Sequence, residues 1–103
     1  MEYSLNKPLT PDKATELINK IITYADCTVD TTDHCREKML EKNFDFQDLL
    51  LVLSNGKVKS PAEYDKKHRH YKYKVEGPTL DDDNAVVIVV ILGFRILRII
   101  TIY

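Results

Sequence analysis

Two cysteines, Cys27 and Cys35, are all that this chain of 103 residues holds, too few for a disulfide framework. No secretory leader opens the sequence, so a reducing cytoplasm is the expected compartment. Metal-ligand spacing is missing as well. Cys27, His34, Cys35, His68 and His70 form no C-x-x-C or H-x-x-x-H pair, so no metal and no cofactor is expected. Neither sign of charge dominates: 15 basic side chains stand against 16 acidic ones, and the isoelectric point is 6.3. Bulk charge therefore argues against a nucleic-acid protein, and no binding to DNA by the chain on its own is expected. Internal repeats and low-complexity tracts are absent. Glycine occurs only at 56, 77 and 93, each where the chain is expected to stop or turn.

What is present suits one globular domain spanning 1–103. The chain is 44% apolar and 30% charged, an ordinary balance for a globular protein, and long enough for one core. Charge is unevenly distributed. Seven Lys or Arg lie between Lys57 and Lys74 against only Glu63 and Asp65, with His68 and His70 in addition. Acids gather in the first half and at Asp81-Asp82-Asp83.

The opening ten residues read as irregular. Thr10-Pro11 is a hydroxyl cap followed by a proline whose missing amide costs nothing, and Ala14, Leu17, Ile18, Ile21 and Ala25 then repeat at helical spacing. This predicts a helix over 11–25. Residues 26–31 are β-branched and suit a short strand or a plain connection. Thr32 can cap a helix over 33–42 that buries Cys35 and Met39, with Leu40 beside them, and leaves His34, Lys38 and Lys42 as a cationic ridge. Asn43 breaks it. Asp45 caps a third helix over 46–54, flanked by Phe44 and Leu49 and stopped by Asn55-Gly56, a pair that tolerates positive φ. A short edge strand at 57–59 and an exposed, mobile loop at 60–67 follow. From His68 the residues alternate: Arg69, Tyr71, Tyr73 and Val75 face one way, His68, His70, Lys72 and Lys74 the other.

The C-terminal run AVVIVVILGFRILRIITIY is long enough to raise the question of a membrane helix. Arg95 and Arg98 within it, Gly93 at its middle and its dense β-branching point instead to two buried strands, 85–92 and 95–103, turning at Gly93-Phe94. No membrane association is expected. The whole order gives an α+β fold, with the N-terminal helices packed on one face of an antiparallel sheet.

Residues His34 to Phe44 resemble the pattern H-A-x-x-R-M-x-x-R-G-I of a bacterial domain-of-unknown-function family grouped with the RelE/ParE-like toxins, whose superfamily also holds barnase and the colicin ribonucleases. His34, Met39 and the Asn55-Gly56 pair match directly, while Lys38 and Lys42 stand for arginines and Asn43 for the glycine. The family's aromatic-basic strand and terminal T-x-Y resemble residues 71–77 and Thr101-Ile102-Tyr103. The resemblance runs from about Val29 to Tyr103 and leaves the N-terminal helix region, 1–28, outside. It implies a RelE/ParE toxin-like fold and a toxin of a type II toxin–antitoxin pair, a metal-independent endoribonuclease that cleaves mRNA through 2′-hydroxyl attack. Its partners would be RNA, free or on the ribosome, and a cognate small antitoxin. The acidic balance and the lysines at arginine positions suit a second reading on the same scaffold, a non-enzymatic interaction protein that is either a diverged toxin or an immunity or antitoxin-like partner.

Such cleavage needs a base for the ribose 2′-hydroxyl, positive charge for the phosphorane and an acid for the leaving oxygen. His34, at a helix N-terminus, suits the base. Tyr103, ending the last strand, and Lys72, between tyrosines on a basic strand, complete the expected catalytic set. Lys38, His70, Lys74, Thr101 and Arg95 are expected to bind substrate. Arg98, among isoleucines, reads as snorkelling to water or pairing with an acid.

Overall fold

The computed structural model describes residues 7–81 and 83–103; the first part of the irregular opening, 1–6, and Asp82 of the acidic turn lie outside the described residues. Three helices, α1 (Pro11–Ile22), α2 (Asp33–Glu41) and α3 (Phe46–Asn55), accompany six strands: β1 (Thr28–Thr31), β2 (Lys57–Val58), β3 (Glu63–Asp65), β4 (His70–Pro78), β5 (Asn84–Gly93) and β6 (Ile96–Ile102). The caps that begin the helices are the ones the sequence announces. Thr10, Thr32 and Asp45 accept hydrogen bonds from Lys13 N, Cys35 N and Asp48 N. Asp48 in turn accepts from Asp45 N, completing a reciprocal box that satisfies two amides the helix cannot pair itself. Asn43 ends α2 with a φ of 58°, the left-handed conformation asparagine tolerates better than most residues. Helix α1 stops at Ile22, three residues short of expectation, because Thr23 closes it with both its backbone N–H and its hydroxyl on Lys20 O.

The strands form one sheet in the order β1-β6-β5-β4-β2, with β3 paired to β4 beside β2. This corrects the antiparallel expectation. Residues 28–31 run parallel to β6, with Thr28 opposite Ile96 and Thr31 opposite Ile99, so the sheet is mixed. Residues 63–65, expected in a mobile loop, pair antiparallel with residues 70–72. The last two strands do form the expected hairpin, though Gly93 still pairs with Ile96 and the turn falls at Phe94-Arg95 in place of Gly93-Phe94. Among the described residues no helix is long and apolar enough to cross a membrane.

One face of the sheet carries the core. Leu17, Ile18 and Ile21 of α1, Cys35 and Met39 of α2, and Leu49, Val52 and Leu53 of α3 pack on Tyr73, Val75, Val87, Val89, Leu97, Ile99 and Ile102. Leu40 of α2 is 84% exposed and takes no part. By alternation His70, Lys72 and Lys74 fall on the opposite face from Tyr73 and Val75. In β6 the alternation is broken. Ile88 stands opposite Thr101 but Val89 opposite Ile99, so Ile100 is an extra residue and the strand bulges there. Ile102 consequently joins the core with Leu97 and Ile99, which a strict period of two forbids. Thr101 and Tyr103 turn to the face of Arg98, not of Leu97 and Ile99.

Glycine at 56 has a different cause from the one expected. Its φ is −77°, an angle open to any residue. A Cβ there would lie 2.4 Å from Val52 O and 2.8 Å from Glu76 O, and one on Gly77 would lie 2.7 Å from Gly56 Cα. The two glycines let the end of α3 sit directly on β4. Asn19 then bonds Leu53 O at 2.7 Å, tying α1 to the same corner.

Candidate functional site

On the face away from the core, the β3–β4 hairpin builds a cluster from its own turn chemistry. Asp65 ends β3 opposite His70, the first residue of β4. Its Oδ1 accepts from the backbone N–H of Lys67 at 3.0 Å and of His68 at 3.2 Å, the local bonding by which aspartate makes turns. Arg69 completes the reversal at a φ of 56°, a left-handed conformation that costs a residue with a Cβ about 1 kcal/mol. The other carboxylate oxygen, Oδ2, meets His68 Nδ1 at 2.9 Å and lies 3.7 Å from His70 Nε2. That nitrogen is buried and has no hydrogen-bond partner among the described residues. The two imidazoles stack 5.5 Å apart, with their planes 10° from parallel.

Opposite this cluster stand the start of α2 and the middle of β6. Thr32 fixes them to each other: its hydroxyl accepts from Cys35 N at 3.1 Å and donates to Ile100 O at 2.8 Å, while its backbone N–H reaches Ile99 O. Arg98 faces Asp30 across the parallel pair, and Nε sits 2.8 Å from the Asp30 carboxylate. Thr32, His34, Asp65, His68, His70, Arg98 and Ile100 together line a cleft of about 360 Å³.

The charges of the cleft are coupled. Hydrogen bonds from the His68 ring, then from its backbone N–H, hold the Asp65 carboxyl down at about 2. Burial pushes the His70 imidazole below its ordinary value. The Asp65 carboxylate opposes that shift, while His68, Lys72 and Arg98 add to it. His70 is thus biased toward the neutral ring at neutral pH.

Of the residues singled out from sequence, the cleft unites His34 and His70. Lys72 and Lys74 follow His70 along β4 on the same face but outside the cleft lining, Lys72 standing opposite Glu63. Tyr103 lies past the end of β6, paired through its backbone with Val86, and Thr101 stands opposite Ile88. Of His34, Lys72 and Tyr103, only His34 is in the lining of this cleft. Lys38 pairs with Glu41 at 3.5 Å. Arg95 is at the other end of the hairpin, held 3.2 Å from Asp26 and 3.5 Å above the ring centre of Tyr24.

Asp65, His68, Arg98, Thr32 and Ile100 are the cleft residues that the sequence does not place in a site. A signal existed for the first two. D-x-x-H-x-H, with the aspartate able to make the turn, brings three ligand-type side chains to one hairpin. Arg98 is legible only as an arginine that snorkels or seeks an acid, and Asp30 supplies the acid.

No curated protein and no solved structure matches the chain. Every residue that lines the cleft falls within the segment 31–103, and that segment, most of the chain, matches the family described as a domain of unknown function (DUF4258), to which this protein therefore belongs.

Proposed function

We propose that the protein is a RelE-like endoribonuclease, the toxin of a toxin–antitoxin pair, and that the cleft between α2 and the β3–β4 hairpin is its active site. The observation that carries this reading is the meeting of two imidazoles, His34 and His70, with the Arg98 guanidinium in one cleft. Transfer of an RNA phosphate from the 5′-oxygen to the neighbouring 2′-oxygen needs those three kinds of group and little else. His70, biased toward neutrality by burial, takes the proton of the 2′-hydroxyl. The 2′-oxygen attacks phosphorus, Arg98 faces the charge that gathers on the phosphorane, and His34 returns a proton to the departing 5′-oxygen. The products are a 2′,3′-cyclic phosphate and a free 5′-hydroxyl. This moves the base role from His34 to His70 and leaves Lys72, Lys74, Thr101 and Tyr103 as a track for the rest of the strand on the same sheet face. The toxin assignment and its antitoxin partner rest on the resemblance of residues 34–44, 71–77 and 101–103 to RelE/ParE-like toxins.

The second reading, a non-enzymatic interaction protein, is favoured by the isoelectric point of 6.3 and by the Glu41 partner of Lys38. Incubating the purified chain with RNA, free and on ribosomes, separates the two. The enzyme leaves cyclic phosphate ends, and expression of the parent but not of His70→Ala arrests growth. RNA left intact under both conditions contradicts the enzymatic reading.

A further inference from the structure

We propose that Asp65, His68 and His70 form a binding site for a divalent transition-metal ion, zinc above all. The site stands on the hairpin's geometry and does not depend on the RNA reading. Each residue offers one ligand atom, and the three atoms lie within 4.8 Å of one another. Zinc holds imidazole nitrogen and carboxylate oxygen at about 2.0–2.2 Å, so two ligands at a tetrahedral angle stand about 3.3 Å apart. The observed separations from Asp65 Oδ2, 2.9 Å to His68 Nδ1 and 3.7 Å to His70 Nε2, fall on either side of that spacing. Small rotations of the three side chains then admit the ion without moving the backbone.

Three features make this more than a chance grouping. The scaffold is set before any ion arrives, because Asp65 Oδ1 is already committed to the turn through Lys67 N and His68 N while Oδ2 faces both rings. The buried Nε2 of His70 has no partner among the described residues, and a metal ion would supply one. The donor set of two imidazoles and one carboxylate suits zinc, nickel or copper rather than magnesium or calcium, which take oxygen. Three protein ligands leave a fourth position, and it opens on the cleft that His34 and Arg98 line. A water or an anion would complete the shell there. Among the described residues Lys72 and Arg98 bring positive charge toward His70 and lower the affinity, while Asp30 offsets Arg98. The ion would also take up His70, the base of the RNA mechanism, so zinc would inhibit metal-independent cleavage.

Calorimetric titration of the metal-free chain with zinc tests the site, with cobalt as a spectroscopic stand-in. One ion should bind per chain in the micromolar range or tighter, raise Tm, and give the intense visible bands of four-coordinate cobalt. His70→Ala and His68→Ala should each weaken binding by about tenfold or more. Asp65→Asn keeps an oxygen for the turn while removing the ligand charge, so it should lose affinity in a chain that folds as the parent does. Cys27→Ser should bind as the parent. Absence of stoichiometric binding in the parent, or binding that survives all three ligand changes, overturns the proposal. Zinc binding without RNA cleavage by the metal-free chain would leave this site standing and remove only the ribonuclease reading.

Discussion

The two faces of the central strands share a backbone and almost nothing else. On β4, Tyr73 and Val75 are buried under the helices, whereas His70, Lys72 and Lys74, at the alternate positions, face away from them. On β6, Leu97 and Ile99 are fully buried, and Arg98 between them reaches Asp30 and the cleft. The covered face stabilises the fold through apolar area removed from water, roughly 25 cal/mol per Å². The other face holds the titratable and charged groups. Before the bulge at Ile100, and Val90 apart, stability and chemistry are thus separated by the period of a strand, and a substitution should disturb one without the other according to the parity of its position.

The largest test of that separation is on the covered side. Ile99→Ala leaves a cavity at a fully buried position and should cost about 3–4 kcal/mol, lowering Tm by more than about 10 °C. A change of only a few degrees would show that the helices pack less tightly on β6 than the structure has them. Gly77→Ala should follow at about 2–3 kcal/mol, because its Cβ would collide with backbone at Gly56 and not with a flexible side chain. Denaturant unfolding at fixed pH measures both.

Asp48 sharpens the comparison from a third direction, since it is polar and yet belongs to the structural side. It is 7% exposed, caps α3 through Asp45 N and accepts from Leu80 N at 2.9 Å. Asp48→Ala should cost about 1–2 kcal/mol. Those backbone hydrogen bonds, that from Asp45 first, hold its carboxyl below the ordinary value in the folded chain. Its contribution is therefore complete above the unfolded-state pKa and is lost as pH falls through the lower, folded one. The parent should lose stability in that acid window more steeply than Asp48→Asn, and equal slopes would remove the carboxylate from the account. Smallest of all, Arg69→Gly should change stability by no more than about 1 kcal/mol, relief of the left-handed turn being opposed by a more disordered unfolded chain.

Local features were legible in the sequence and long-range ones were not. Thr10, Thr32 and Asp45 as caps, Asn43 as a break and the C-terminal hairpin depend on neighbours a few residues away, and the structure has them as read. The parallel pairing of β1 with β6 joins segments nearly seventy positions apart, and nothing local to residues 28–31 chooses their partner. The bulge at Ile100 places Thr101, Ile102 and Tyr103 on the faces opposite to those a strict period of two gives, since one inserted residue flips all that follow. Only two of the seven residues that line the cleft are visible for the same reason. His34 and His70 stand out as residue types in patterned segments. Their meeting with Arg98 and Asp65 depends on β3, a strand of three residues that only the Asp65 turn folds back onto β4.

The most direct test of the division between a structural face and a chemical one is His34→Ala, measured for both Tm and the rate of RNA cleavage. His34 is exposed and lines the cleft without entering the core. The account predicts a Tm close to the parent's and cleavage slower by about a hundredfold or more. A variant that melts with the parent and cuts RNA at the parent's rate would contradict it.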